Sequence, residues 1–258
     1  APGFLGPMDL AVATDGVIYA ADGISMAAVT PDGSAKRIGL LFDGHFPGFV
    51  RGLAAGSMGN VVTTTSGGDV TTYHPVTHEM TEHAKGLNEL YGVSLSGDGT
   101  ILVAEGGEGR ILAITGTDIK VKGSGLARPT GIAASADGSC YVSEAGKGRV
   151  VHLNGAAATV IDGLKEPQGL LLAGDDLYVL DAAAHELIGY SLKTRTRTTV
   201  ASNLPVGAPP GVTPKLLAGI AGLLPGPLRP FAGLAAGADG TIYIAADGDG
   251  SVLALRRA

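Results

Sequence analysis

The chain has 258 residues, of which 45% are hydrophobic and 16% charged, a composition typical of a globular protein with a substantial core. Its formal charge is −6 and its Lys and Arg residues do not cluster, which argues against the positive surface that nucleic acids and anionic membranes require. No run of about 18 apolar residues predicts a membrane span. The single cysteine, Cys140, excludes an intrachain disulfide and a cysteine-based zinc site, and a buried thiol is expected.

A repeated pattern runs along the chain. Each copy has a short apolar run, a turn and a second apolar run that ends at or near an acid. A third apolar run and a weaker fourth one follow. The turn is Asp-Gly in four copies, and this dipeptide tolerates the positive φ values of a tight β-hairpin turn. In chain order, the six predicted hairpins occupy residues 8–22, 51–65, 91–105, 130–144, 168–181 and 232–247.

The copies have the spacing of propeller blades. The first run carries a glycine at 52, 92, 131, 169 and 233, and Asp9 stands at this position in the first copy. Most steps are about 40 residues, the usual length of a blade. A closed ring buries both faces of every blade and leaves no long exposed sheet edge. The sequence therefore predicts an all-β, six-bladed β-propeller with four-stranded blades. It forms one domain over residues 1–258, which could itself belong to a larger protein.

Two segments depart from the repeat. The last copy ends after its third strand, so we expect residues 1–5 to supply the outermost strand and close the ring. The segment 203–230 is an insertion rich in Pro and Gly, and its apolar spacing over 216–224 predicts a helix between Pro214 and Pro225. Lying between two blades on the top face, the insertion would be a lid over the channel, a plug, or a contact with a neighbouring domain or subunit.

The fourth copy carries a family resemblance. Residues 129–150 contain Pro-x-Gly-Ile-Ala, Asp-Gly, Tyr-Val-Ser-Glu and Gly-Arg-Val. This phrase resembles NHL repeats and the related blades of gluconolactonases and streptogramin lyases, and the resemblance covers almost the whole chain. It implies a site at the top of the central channel. It also implies either a small-molecule enzyme, a lactonase-like hydrolase or a lyase, or a non-catalytic binding propeller.

In the enzymes of these families, metal ligands tend to precede the repeat glycine. That position is held here by Met8, Arg51, Tyr91, Thr130, Gln168 and Ala232. None is Asp, Glu, His or Asn, so a family-type site for Ca²⁺ or another divalent cation is not expected there, and the metal and cofactor are left open.

This ring instead predicts a polar pocket for a small anionic or oxygen-rich molecule. Arg51 would bind a carboxylate or phosphate through its planar guanidinium group. Tyr91 would act as an acid or base if a nearby cation lowered its pKa. Thr130, Gln168 and Met8 would contact the ligand. In the alternative interpretation, Arg51 pairs with a blade acid and Tyr91 fills the channel.

A second ring consists of the acids near the end of each second strand, where Thr65 interrupts the series. These acids are Asp22, Glu105, Glu144, Asp181 and Asp247. They would contact ligand or cation at the channel mouth, or they would accept backbone hydrogen bonds in turns. Glu105 and Glu144 are the candidates for catalysis with Arg51 and Tyr91, because they resemble the Thr-Glu position of lyase blades.

The histidines suggest no further site. His45, His74, His78, His83, His152 and His185 all lie outside the positions that precede the repeat glycine, so a zinc site is not favoured. The given chain opens with no signal-peptide pattern, and the compartment is left open. Two hypotheses remain, a lactonase-like hydrolase or lyase with a pocket in the top of the channel, and a non-catalytic propeller that binds a ligand, peptide or domain there.

Overall fold

The computed structural model describes residues 3–41, 43, 46–209, 211–213 and 229–256. Blade 1 contains β1 (Pro7–Val12), β2 (Ile18–Asp22), β3 (Ser25–Val29) and β4 (Ala35–Leu40), and blade 2 contains β5 (Val50–Ala55), β6 (Val61–Thr65), β7 (Val70–Tyr73) and β8 (Met80–Ala84). Blade 3 contains β9 (Leu90–Leu95), β10 (Ile101–Glu105), β11 (Arg110–Thr115) and β12 (Asp118–Gly123), and blade 4 contains β13 (Pro129–Ala134), β14 (Cys140–Glu144), β15 (Arg149–Asn154) and β16 (Ala156–Ile161). Blade 5 contains β17 (Pro167–Ala173), β18 (Asp176–Asp181), β19 (Glu186–Ser191) and β20 (Arg197–Ala201), and blade 6 contains β21 (Leu234–Ala236), β22 (Ile242–Ala246) and β23 (Ser251–Leu255).

Each blade is an antiparallel sheet in which consecutive strands are neighbours. The first strand of every blade packs against the first strand of the next, and β21 packs against β1, so that the blades form a ring. The six-bladed β-propeller predicted from the repeats is therefore confirmed. The loops that enter the first strands and the turns between second and third strands lie on one face, called the top face below.

The N-terminal segment meets the last blade, as ring closure requires. The Phe4 N–H donates to the Gly250 carbonyl at 2.9 Å. In blades 3 and 4, Leu126 and Leu164 make the same bond to Gly109 and Gly148. Residues 3–6 form no strand and residues 1 and 2 lie outside the described part, so the described portion of the last sheet has three strands.

The core lies between blades. In β10, Leu102 and Ala104 pack against blade 4, whereas Ile101 and Val103 pack against blade 2, and all four are buried. Alternating side chains of a strand point to opposite faces of its sheet, so a strand inside this ring has two buried faces. Cys140 is buried in the same layer, as expected, and burial raises its pKa to about 11.

The first strands approach one another closely at the repeat glycines. A Cβ atom at Gly131 would collide with the carbonyl oxygen of Gln168 on the next blade. Asp9 is the exception in this ring, and its carboxyl group lies against Gly233 and accepts the Leu53 N–H at 2.8 Å. Blades 6, 1 and 2 therefore meet around one buried carboxyl group.

The described residues include no helix long and apolar enough to cross a membrane. The helix predicted over 216–224 falls within 214–228, outside the described residues.

Candidate functional site

A cavity of about 480 Å³ opens on the top face. Three residues that precede the repeat glycine line it, and so do charged side chains from neighbouring loops and both described ends of the insertion. The described lining comprises Tyr91, Arg128, Thr130, Glu166, Gln168, Ala182, Ala183, His185, Gly207, Ala208, Pro209, Gly211, Val212, Thr213, Arg229 and Pro230. A concave site that combines an apolar wall with a few polar groups is the usual form of a small-molecule site. We call it the top-face cavity.

Two of the predicted ligand contacts, Thr130 and Gln168, lie in this cavity with their positions fixed by hydrogen bonds. The Thr130 hydroxyl donates to the Pro167 carbonyl at 3.0 Å. Oε1 of Gln168 accepts the Ala232 N–H at 2.8 Å. Since Oε1 is engaged, the amide group of Gln168 offers a ligand chiefly its N–H donors.

Arg51 supports the cavity without lining it in the described part of the chain. Its guanidinium carbon lies 4.4 Å from the centre of the Tyr91 ring, an arrangement typical of a cation–π contact. Arg51 Nη2 also donates to the carbonyl oxygen of Arg229, at the end of the insertion. Both side chains of the stack are buried. In the described part of the chain, Arg51 therefore contacts Tyr91 and the end of the insertion, and its contact with a ligand stays a prediction.

Tyr91 is suited to donate a hydrogen bond. Burial raises the pKa of its phenol, and the positive charges of Arg51, Arg229 and Arg128 offset only part of that rise. The nearby cations do lower this pKa, but desolvation outweighs them, so the condition set for acid or base action by Tyr91, a lowered pKa, is not met. At neutral pH the phenol keeps its proton, and its hydroxyl lies 3.5 Å from Glu89 Oε2.

The charged residues of the cavity were missed by the analysis of the sequence. Arg128 Nη2 pairs with Glu166 Oε1 at 2.9 Å, and Arg229 Nε lies 3.4 Å from Glu89 Oε2. A signal was present, because Glu89, Arg128 and Glu166 occupy the same position in three consecutive repeats, two residues before the residue that precedes the glycine. Both arginine side chains of these pairs are about one-third exposed, and a ligand can reach them.

His185 is the other cavity residue that the pattern did not single out. It lies in the turn between β18 and β19 with a φ of 57°, in the left-handed region. At the same turn position, blades 3, 4 and 6 have Gly109, Gly148 and Gly250, with φ of 61°, 60° and 70°. A strained residue where only glycine is comfortable is a recognised sign of a functional position.

The acids of the second ring hold the loops that enter the blades. Glu105 accepts the Asn88 N–H and Glu144 accepts the Ala127 N–H, at 2.8 and 2.7 Å, and each also pairs with an arginine Nε. The remaining acids accept hydrogen bonds from backbone N–H groups of these loops. Asp22 accepts from Gly6, Asp181 from Lys165 and Glu166, and Asp247 from Gly207. None of these acids is among the described residues that line the cavity. The geometry favours the structural interpretation over the catalytic one.

These contacts also bear on a metal centre of the lactonase kind. The oxygens of Glu105 and Glu144 are engaged by N–H groups and guanidinium groups, and no group of three or more His, Cys, Asp or Glu residues converges within the described ranges. The residues present therefore do not fit such a cation. Met8 also lies apart from the described cavity lining, and its carbonyl accepts the Gly233 N–H at 2.8 Å.

The described histidines lie apart from one another and make separate contacts. His78 Nδ1 bonds Tyr73 OH, His74 Nδ1 accepts the Thr77 N–H, and His152 stacks on Tyr141. His45 lies outside the described residues.

The insertion is attached beside the cavity at both described ends. Asp247 accepts the Gly207 N–H near its beginning, and Arg51 donates to the Arg229 carbonyl near its end. The top-face position predicted for the insertion agrees with these contacts. Whether the insertion forms a lid, a plug or a partner contact depends on residues outside the described part.

Comparison with known proteins places the fold. No protein-family model and no curated protein matches the chain. Among solved structures, a streptogramin B lyase is 15% identical with a TM-score of 0.66, and the match covers 99% of this chain and 95% of that one. A catalytically inactive virginiamycin B lyase from Staphylococcus aureus with quinupristin is 16% identical with a TM-score of 0.65, over 96% and 83% of the two chains. A nidogen/laminin complex matches at 20% identity and a TM-score of 0.67, over 75% and 79%.

Those structures include both an enzyme and a protein in a protein complex, so the likeness bears on architecture rather than on chemistry. Taken with the ring of blades and the repeat pattern, it shows that the chain has the fold of NHL and streptogramin-lyase-like six-bladed β-propellers.

Proposed function

We propose that this propeller binds a small anionic molecule, with a carboxylate or phosphate group, in the top-face cavity. The observation that carries the proposal is the charge around Tyr91. The positive charges of three guanidinium groups, those of Arg51, Arg128 and Arg229, lower the pKa of its phenol. Among the described residues, only two carboxylates, Glu89 and Glu166, lie nearby. A locally positive cavity in a chain of formal charge −6 favours an anion.

The cavity offers donors in a suitable arrangement. Arg128 and Arg229 present planar guanidinium groups that can bind carboxylate or phosphate oxygens in pairs. The Tyr91 hydroxyl and the Gln168 amide add donors on the same wall. Glu166 competes with the ligand for Arg128, because the two side chains already form an ion pair at 2.9 Å.

Two substitutions that should change anion affinity in opposite directions test the proposal. Affinity is measured by calorimetric titration with gluconate, gluconate 6-phosphate and neutral glucose. Arg128→Gln should weaken binding of the anions by about tenfold or more, since a charged hydrogen bond is lost. Glu166→Gln should strengthen it, because Arg128 is released for the ligand. Arg37→Gln makes the same chemical change on an exposed strand outside the cavity and should change nothing. If no anion binds, or if both cavity variants bind as the wild type does, the proposal fails.

A second candidate, a metal-independent lactonase-like hydrolase or lyase, is favoured by one observation. His185, the strained histidine, lines the cavity together with Tyr91. An imidazole can accept a proton from a substrate or from water, while a protonated phenol can donate a hydrogen bond to developing negative charge. In this candidate the top-face cavity holds the substrate, and His185 transfers the proton.

The catalytic candidate is tested with gluconolactone followed by pH-stat titration and with quinupristin followed by mass spectrometry. Wild type should convert one of them. His185→Gln keeps a hydrogen-bond donor for the anion but cannot transfer the proton, so it should abolish turnover while binding of the anion stays within about twofold. Absence of turnover by the wild-type protein would exclude both substrates and leave the binding proposal unaffected.

A further inference from the structure

A second cavity, of about 360 Å³, lies between blades 2 and 3 on the face opposite the top-face cavity. Its floor is apolar and includes Val62, Leu95, Ile101 and Ile114, and four glycines, at 56, 97, 99 and 116, contribute no side chain to its walls. We call it the blade 2–3 groove. It shares no described residue with the top-face cavity and plays no part in the function proposed above.

At one position of the repeat, blade 2 has a smaller side chain than the other blades. Val62 pairs with Ala54 and Thr72 across its sheet, and the residue in the same place in blade 4 is Tyr141, which pairs with Ala133 and His152. Blades 1, 5 and 6 also have tyrosine at this position, Tyr19, Tyr178 and Tyr243. In blade 3 the residue is Leu102. Four blades therefore carry a phenol ring at the position where blade 2 carries Val62, a smaller and buried side chain that lines the groove.

The first hairpin turns of blades 2 and 6 support the equivalence of Val62 and Tyr243. In blade 6, Tyr243 packs on the first hairpin turn, where a Cβ atom on Gly237 would lie 3.3 Å from the Cε2 ring atom. Gly56 occupies the same place in the turn of blade 2, because its N–H bonds the Asn60 carbonyl as that of Gly237 bonds Thr241. Gly56 lines the groove. Blade 2 thus has the same turn glycine that packs on the ring in blade 6, but it lacks the ring.

The rim of the groove is polar and crosses the two blades. His83, on β8 of blade 2, forms a hydrogen bond through Nδ1 with the Gly116 carbonyl of blade 3 at 2.8 Å, and its Nε2 bonds the Thr72 hydroxyl at 2.8 Å. The carbonyl can only accept, so Nδ1 carries a proton. Asn60, Ser57 and Ser96 also line the groove and offer partners for a hydroxyl group.

We propose that the blade 2–3 groove is a binding site for a small phenolic molecule, whose ring takes the place that tyrosine holds in four other blades. Apolar cavities shaped for a ring do bind free aromatic molecules. The rim groups would select a ring that carries a hydroxyl group. The site is independent of the anion site and faces the opposite side of the propeller.

The probe is p-cresol, which is the tyrosine side chain as a free molecule. Titrated into methyl-labelled protein, it should shift the NMR signals of Val62, Leu95, Ile101 and Ile114. It should leave unchanged those of Leu180 and Ile244, which lie between blades 5 and 6. Val62→Tyr supplies the ring covalently and should weaken p-cresol binding by about tenfold or more. Val62→Ile, which enlarges the same side chain without a ring, should change the affinity by less than about threefold.

Two results would overturn the proposal. In the first, p-cresol at millimolar concentration shifts none of the groove methyl signals of the wild-type protein. In the second, Val62→Tyr folds and binds p-cresol as tightly as the wild type. Should Val62→Tyr not fold, the wild-type methyl shifts decide alone, and an equal response to 4-methylcyclohexanol, which has the same substituents on a thicker ring, would contradict the aromatic specificity.

Discussion

His185 combines a strained backbone with a place in the top-face cavity. Its φ of 57° costs a non-glycine residue about 1 kcal/mol or more, which the three glycines at the same position in other blades avoid. Strain that persists in a ligand cavity is consistent with a side chain retained for function at the expense of stability. This function need not be catalytic, because a histidine side chain can also bind an anion.

We expect His185→Gly to raise the free energy of unfolding by about 1 kcal/mol and to weaken anion binding in the top-face cavity. Chemical denaturation and calorimetry measure the two effects. The matched control is Arg195→Gly, which relieves a φ of 58° at an exposed turn residue outside the described cavity lining and should raise stability without changing affinity. Unchanged anion affinity in His185→Gly would remove His185 from the site.

At the scale of the blade, the acid at the end of the second strand attaches the incoming loop to the sheet. Glu144 is fully buried, and its two oxygens bind the Ala127 N–H at 2.7 Å and Arg149 Nε at 2.5 Å. The loop it holds leads directly to Arg128 and Thr130 of the cavity. The acid therefore acts on the site through the position of the loop.

Glu144→Gln should lower the free energy of unfolding by about 2 kcal/mol, because the amide cannot satisfy both an N–H and a partly buried guanidinium group. Glu82→Gln, in an exposed pair with Lys85, should change it by less than about 1 kcal/mol. If Glu144 is catalytic rather than structural, its substitution will instead abolish turnover and leave the denaturation midpoint in place.

At the scale of the whole molecule, the buried carboxyl group of Asp9 in blade 1 contacts both neighbouring blades, at Gly233 and Leu53. Burial raises the pKa of this carboxyl group from its usual 3.8 to about 8, although the Leu53 and Leu10 N–H groups lower it in part. The folded protein therefore keeps a proton there that the unfolded chain releases above about pH 4. Stability from this group is present at low pH and is lost as the pH rises through about 8.

We expect the free energy of unfolding of the wild type to fall with pH between about 4 and 8, relative to Asp9→Asn, by up to about 1.4 kcal/mol per pH unit. Asparagine keeps the shape and cannot ionise. Urea denaturation at several pH values gives both curves. Parallel curves would show that the carboxyl group of Asp9 ionises in the folded ring at the same pH as in the unfolded chain.

Several features of the site were accessible from the sequence. Tyr91, Thr130 and Gln168 were predicted because they precede the repeat glycine, and the repeat places that position around the channel. Arg128 and Glu166 could have been found by the same alignment two residues earlier. His185 could have been found as the one histidine at a turn position that is glycine in three blades. Nothing in the repeat showed that Arg51, at the same position as the cavity residues, would stack on Tyr91.

The sequence by itself determined the blades, their number and their order, because hairpin turns and apolar alternation act over a few neighbouring residues and recur six times. Only the tertiary structure decided which polar groups are exposed to a ligand. That choice depends on contacts between blades, such as Arg51 with Tyr91 and Asp247 with Gly207, which join residues about 40 positions apart. The same holds for the blade 2–3 groove, because its lining residues come from strands and turns of two blades that only the folded ring brings together.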